Sequence, residues 1–236
     1  MKAGGLGWPR LHLRRVDSTN ARARELALAG APHGTLVTAE EQDAGRGRQG
    51  RTWMAPAGRA LLCSLVIRDP PRLLPLAAGV AVAETVDQAR AEPGHSGTQV
   101  KWPNDVLLDG RKLAGILVEG RPQERWAVLG VGVNVAVRIE DFPSALRERA
   151  ATLGLEPDAI GPTLERLLAV AERWLAAPEE QILAAVRARD ALRGQPVAWA
   201  GGEGIGDGID DDGRLLVVIG DGQRVALDAG EVHLGA

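Results

Sequence analysis

Along this chain the apolar positions change their period several times, and each change marks a predicted element. Leu11 and Leu13 alternate with polar neighbours as in a strand. Asp17, Ser18, Thr19 and Asn20 supply capping side chains before an alanine-rich stretch, 21–29, that reads as a helix closed by Gly30. Residues 34–40 and 60–68 read as strands. Between 73 and 91, Leu76, Ala77, Val80, Ala81 and Val86 recur at helical spacing, enough for a largely buried helix, with a Gly/Pro/His turn at 93–97 to end it. Two apolar runs then flank Asp109-Gly110, which predicts a hairpin with a type I′ turn, and 126–135 reads as a further strand. Helices follow at 142–150, 162–176 and 178–192, the last two opening on a proline. From Gly194 the texture becomes short β-like pieces, 196–200, 205–209, 214–219 and 223–227, with turns at Asp212-Gly213 and Asp221-Gly222. That pattern predicts a small barrel. The boundary is placed at Arg193, giving one domain over 1–193 and a second over 194–236.

Three stretches carry residues that their elements do not need. Ser18, Thr19 and Asn20 serve as an N-cap, or put hydroxyls and an amide where a small polar ligand is held at a helix start. Gly130 and Gly132 weaken a strand interior, which points either to close approach by a ligand or to a bulge or tight sheet packing. Pro103 holds Trp102 extended and breaks the strand, which turns Asn104 and Asp105 inward and gathers Lys101, Asn104, Asp105 and Lys112 on one sheet face.

The densest stretch is 45–53, Gly-Arg-Gly-Arg-Gln-Gly-Arg-Thr-Trp. Its glycines let backbone approach a ligand, and Arg46, Arg48 and Arg51 add fixed charge with fork-shaped donors, so it reads as an anion-binding loop or as a solvated basic turn. Its terminal Trp53 has no need of a solvated turn. Gly45, Gly47 and Gly50 also satisfy the dinucleotide spacing GxGxxG, but that requires a helix to open immediately afterwards, and Pro56 and Gly58 argue against one.

Composition narrows the classes. Net charge is −3, so duplex nucleic acid is not the expected partner. The sole cysteine, Cys63, sits in an apolar strand-like run and reads as a buried hydrophobe in a reducing compartment. Four scattered histidines and one cysteine do not make a structural zinc site. With no signal-peptide pattern and no apolar run of roughly 18 residues, a cytoplasmic protein without a membrane anchor is expected. The signatures GxxxxGK[ST] and GxSxG are absent from the sequence.

Four motifs in order, GRGRxGRxW at 45–53, KWPND at 101–105, KLAGILVE at 112–119 and GxGxN at Gly130, Gly132 and Asn134, together with Ser18-Thr19-Asn20, resemble the biotin protein ligases over nearly the whole chain. The resemblance implies an α+β fold, a mixed β-sheet flanked by helices related to class II aminoacyl-tRNA synthetases, followed by an SH3-like barrel. About 17 residues precede the first motif, too few for the N-terminal winged helix-turn-helix of some relatives, so a single-function form without DNA binding is expected.

What the resemblance implies for the residues is specific. Ser18, Thr19, Asn20, Gln42, Gly45, Arg46, Arg48 and Lys112 would surround biotin, with Gly115 and Gly132 giving it room. Arg48, Arg51, Trp53, Asn104, Lys112 and Asn134 would hold ATP or the adenylate, Asn134 against adenine and Trp53 as an apolar wall. Mg²⁺ would come with the nucleotide near Asn104 and Asp105, and the catalytic group would be Arg48, Lys112 and Asp105. Asp105 is read either as positioning the nucleotide or as orienting or deprotonating the attacking amine. Biotin would be activated to biotinyl-5′-AMP and passed to a lysine of a biotin carboxyl carrier protein, with loop 45–53 mobile before ligand and ordered after it. Relatives often form homodimers. A lipoate ligase or octanoyl transferase of the same fold is the alternative. The chain departs from the family pattern at Gln49 and in a C-terminus without the usual basic residue, which leaves open whether the barrel helps bind ATP.

Overall fold

The computed structural model describes residues 5–90, 97–228 and 232–234 and contains two sheets. Residues 93–96 of the expected turn lie outside the described residues. The first sheet is built from β1 (Arg10–Val16), β2 (Leu36–Gln42), β3 (Ala60–Arg68), β4 (Gln99–Lys101), β5 (Asp105–Leu108), β6 (Arg111–Arg121) and β7 (Trp126–Asn134). Their order is β1-β2-β3-β7-β6-β5-β4, with β1 and β2 parallel and every other pair antiparallel. The parallel pair needs a crossover, and α1 (Thr19–Leu28) supplies it. Sheet and helices together form the expected mixed sheet flanked by helices.

Strand β3 is buried on both faces because both are covered. Leu61, Cys63, Leu65 and Ile67 join the main core with α2 (Leu74–Ala89), α4 (Ile160–Leu175) and α5 (Glu179–Ala188). On the opposite face Val66 packs with Val37, Val128 and Trp126 beneath Ala23 and Ala27 of α1. Helix α1 covers only that end of the face. Toward Leu62 and Gly132 the sheet is covered by loop segments, and there the site lies.

The hairpin between β5 and β6 turns at Asp109 (φ 50°) and Gly110 (φ 73°), the two positive φ values of a type I′ turn. The helix expected over 142–150 is a single turn, α3 (Ser144–Arg147). The segment after it runs beside Lys112 instead, with Lys112 N–H donating to Arg149 O at 2.7 Å and Ala151 N–H to Lys112 O at 2.8 Å. Pro162 is the third residue of α4 and Pro178 the N-cap of α5, so neither occupies the expected first helical position.

The second sheet contains β8 (Pro196–Trp199), β9 (Gly202–Ile209), β10 (Leu215–Val218), β11 (Arg224–Leu227) and β12 (His233–Leu234), in the order β11-β10-β9-β8-β12 and antiparallel throughout. Its edge strands β11 and β12 are not paired with each other among the described residues, so the expected barrel stands as an antiparallel sheet. Val197, Leu215, Val217 and Val232 join the main core, and Trp102 Nε1 donates to Gly213 O at 3.0 Å across the junction. The KWPND segment thus fastens the second sheet to the first.

Candidate active site

The cleft floor is one face of β7, β6 and β5. Register places Gly132 opposite Gly115 and Gly115 opposite Asp105, a row with little side-chain bulk at its centre. A β-bulge lies on β6, where Ala114 pairs with Val106 but Lys112 with Leu107, leaving Leu113 as the extra residue. Without it, the alternation of β6 would put Lys112 on the face opposite Gly115. With it, Lys112 Nζ reaches Asp105 Oδ1 at 2.7 Å.

Loop 43–53 arches over this floor and is closed by its own backbone. Trp53 N–H donates to Gly45 O at 2.9 Å, Gly47 N–H to Arg51 O at 2.7 Å and Arg51 N–H to Arg48 O at 3.1 Å. Glycine is required where the two arms meet, since a Cβ on Gly45 would lie 2.4 Å from Trp53 O. The loop delivers the Trp53 indole onto the floor. A Cβ at Gly132 would meet the ring at 2.6 Å and one at Gly115 at 3.1 Å. The strand glycines therefore admit the protein's own side chains: Gly132 and Gly115 take Trp53, and Gly130 takes Asn20, whose Oδ1 would lie 2.0 Å from an added Cβ.

One end of the cleft is polar and uncharged. Ser18 stands at the N-cap of α1 but makes no capping bond with its side chain. Gln42 Oε1 caps instead, accepting from Thr19 N–H at 2.8 Å and from Thr19 Oγ1 at 3.1 Å. Ser64 Oγ donates to Asn20 Oδ1 at 2.6 Å and lies 2.8 Å from Thr19 Oγ1. Asn20 Nδ2 donates to Glu119 Oε2 at 2.8 Å. The other end is cationic. Arg48, Arg51, Lys101 and Lys112 line it, while Arg46 lies toward Glu119, and Asp105 is the single acid among the residues that line the cleft. Burial pushes Arg48 below its ordinary pKa, with Asp105 opposing. Burial also lowers Lys101, and the neighbouring Lys112 and Arg51 push the same way against Asp105. Cations that raise one another's energy in this way bind an anion favourably.

Arg48 Nη1 donates to Asn104 Oδ1 at 3.2 Å, and Asn104 Nδ2 to Ile116 O at 2.9 Å, so Asn104 ties the loop to the sheet. Lys112 Nζ sits 5.9 Å from the centroid of the Trp53 ring. The buried Cys63 thiol is pushed up to about 12 by desolvation, which keeps it from acting as a nucleophile near neutral pH. Among the described residues no three His, Cys, Asp or Glu side chains gather as a metal cage.

The fold brings Ser18, Thr19, Asn20, Gln42, Arg46, Arg48, Arg51, Trp53, Asn104, Asp105, Lys112, Gly115 and Gly132 to one cleft. Gly45 and Asn134 stand apart from its lining. Gly45 forms the root of the loop, and Asn134 lies two residues beyond Gly132, its Nδ2 donating to Ala151 O at 2.9 Å and its buried Oδ1 without a hydrogen-bond partner among the described residues. Four contributors have no assigned role in the sequence reading: Ser64, Glu119, Val232 and His233. Ser64 was signalled by being the polar residue in an apolar strand. Val232 lines the cleft and His233 follows it, its pKa lowered by burial and then by Lys101, Arg51 and Arg149, so the second sheet reaches the cationic end.

The sequence model of the Biotin/lipoate A/B protein ligase family matches residues 12–135, and that of the Biotin protein ligase C terminal domain matches 186–235. The chain is 38% identical over 251 aligned residues to the biotin--[acetyl-CoA-carboxylase] ligase of Mycobacterium tuberculosis, covering 98% of this chain and 91% of that one. It is 36% identical to the enzyme of the same name from Paracoccus denitrificans, with 94% and 99% covered. Against the bifunctional ligase/repressor BirA of Bacillus subtilis it is 38% identical over 159 residues, 64% of this chain, and the match spans about half, 47%, of that relative. The structure of biotin protein ligase from Aquifex aeolicus in complex with biotin and ATP superposes with a TM-score of 0.78 at 24% identity, covering 96% and 99% of the two chains, a likeness of fold.

Proposed function

The chain belongs to the biotin/lipoate A/B protein ligase family, and from that premise we propose that it is a biotin protein ligase. It activates biotin with ATP and transfers the biotinyl group to a lysine of a biotin carboxyl carrier domain of a carboxylase. The observation that carries this reading is the two-ended cleft. A neutral hydrogen-bonding end suits a ureido ring, Trp53 over Gly132 and Gly115 suits an apolar chain, and the cationic end follows where a carboxylate and phosphates must meet.

In the first step a biotin carboxylate oxygen attacks the α-phosphorus. A new P–O bond forms, the bond from that phosphorus to the bridging oxygen breaks, and pyrophosphate leaves. Lys112, Arg48, Arg51 and Lys101 offset charge at the carboxylate and phosphate oxygens in a partly dried site. Asp105 holds the Lys112 ammonium at 2.7 Å, so we assign it the positioning of that group. Mg²⁺ bound to phosphate oxygens would neutralise further charge. Asp105, the one carboxylate in the cleft lining, would be its protein contact, with Asn104 nearby and the nucleotide supplying the rest. Asn134 Oδ1, buried and lacking a donor, fits the amino group of adenine. In the second step the acceptor amine forms a bond to the acyl carbon, the bond from that carbon to the phosphate oxygen breaks so that AMP departs, and the proton lost by the amine passes to water. A route through a thioester is disfavoured, because Cys63 is the sole thiol and is held protonated.

We place the domain boundary at Arg193/Gly194 and the protein in the cytoplasm; no described helix is long and apolar enough to cross a membrane. The test is pyrophosphate release from Mg²⁺-ATP with biotin, lipoate or octanoate, with hydroxylamine present to trap an acyl-adenylate. Release and a hydroxamate with biotin alone are expected. Release with lipoate or octanoate instead would reassign the substrate, and no release with any acid would sink the reading.

A further inference from the structure

Glu119 ends the KLAGILVE motif, and the chemistry above does not use it. It projects from the same face of β6 as Gly115 and Leu117 and is half-buried, with two distinct partners. Its Oε2 accepts from Asn20 Nδ2 at 2.8 Å, while its Oε1 lies 3.7 Å from Arg46 Nη1 on the Gly/Arg loop. Asn20 is itself fixed in orientation: Ser64 donates to its oxygen, and Glu119 and Leu117 O, the latter at 3.4 Å, accept from its nitrogen. The chain continues through Ser64 to Thr19 and on to Gln42, the residue from which the loop departs. Loop root and loop arm are thereby joined by one line of polar contacts passing under the neutral end of the cleft. A second cavity, lined by residues 44–52 with Leu117 and Glu119, lies between loop and strand, so over this span the Arg46–Glu119 pair bridges a gap that packing does not fill.

We propose that Glu119 is a positioning residue that sets the Gly/Arg loop against the start of α1 through Arg46 and Asn20, beside the neutral end of the cleft. The kinetic part rests on the function proposed above; the loop anchoring does not. Glu119→Gln keeps a carbonyl for Asn20 and removes the charge facing Arg46. Glu119→Ala removes both.

The experiment measures tryptic cleavage at Arg46, Arg48 and Arg51 without ligand, thermal stability, and Michaelis constants for biotin and ATP. Cleavage is expected to rise about threefold in the Gln variant, as for a partly exposed ion pair, and roughly tenfold or more in the Ala variant, where a charged hydrogen bond is also lost. The biotin KM should rise in the same order, with kcat and the ATP KM within about twofold of wild type. Unchanged cleavage and biotin KM in both variants would overturn the proposal. So would equal rises in both KM values together with loss of thermal stability in the Gln variant, because that is a structural defect. If wild type releases no pyrophosphate with biotin, the proposed function fails, while the ligand-free cleavage still decides whether Glu119 anchors the loop.

Discussion

Thr19, Asn20 and Ser64 are buried and bonded to one another and to Gln42 across three elements, whereas Arg48, Arg51, Lys101 and Lys112 converge with one carboxylate among them. The two ends of the cleft thus solve different problems. At the neutral end, folding has already satisfied the polar groups, and the orientation of each is fixed by its neighbour, as recognition of a small uncharged ring requires. At the cationic end, like charges are held together in a half-buried space. The repulsion is relieved when an anion enters, and most when charge builds on phosphate oxygens. One end provides shape and the other provides field, and Trp53 lies between them.

Lys112→Ala tests the field most severely. It should cost about 10²–10³-fold in the rate of pyrophosphate release, or roughly 3–4 kcal/mol, with biotin binding little changed. A loss confined to the biotin KM would place Lys112 at the wrong end. Gly132→Ala tests the junction, because an added Cβ would lie 2.6 Å from the Trp53 ring and force it to move. The expected cost is about 1–3 kcal/mol, read as a roughly tenfold higher biotin KM and a shifted tryptophan fluorescence. Gly115→Ala, at 3.1 Å, should do less. Ser64→Ala tests the shape alone. It removes the donor to Asn20, and about 1 kcal/mol, a fivefold rise in biotin KM, is expected while nucleotide binding stays as it was.

The smallest effect concerns pH. Lys101 is lowered from its ordinary 10.5 by burial, which Asp105 opposes and to which Lys112 and Arg51 add. Nucleotide phosphates favour its charged form, so affinity for ATP should be full below the lowered pKa and decline by a few-fold as pH rises through it, before 10.5 is reached. The unfolded chain holds this proton more tightly, so the same residue's contribution to stability increases with pH across that window. Lys101→Met should flatten both dependences, measured by titration calorimetry and by urea unfolding. A slope left intact would move the titration to another group.

The hairpin at Asp109-Gly110 was legible in the sequence because two residues that tolerate positive φ between apolar runs leave few other turns open. Strand β3 was predicted over 60–68 and observed as Ala60–Arg68, an apolar run too continuous for a half-exposed element. The helix expected over 142–150 failed because 149–151 finds backbone partners in Lys112, and tertiary pairing outweighs a modest helical preference. Strand β12 escaped notice because two residues carry no period to read. The motif residues meet in one cleft, and the space left by Gly115, Gly130 and Gly132 is met by Trp53 and Asn20, which spacing alone does not show.

By itself the sequence determined the kinds of groups available, the glycines where chain or side chain must come close, and the order of motifs that marks the family. These are local or compositional properties, written in residue type and spacing. Which groups meet was decided only by the tertiary structure. The bulge at Leu113 puts Lys112 beside Asp105, Gln42 caps a helix that begins 23 positions earlier at Thr19, Ser64 locks Asn20, and β12 brings His233 toward Lys101. Each depends on register across strands, and register is set by the packing of both sheet faces, which no single stretch of residues contains.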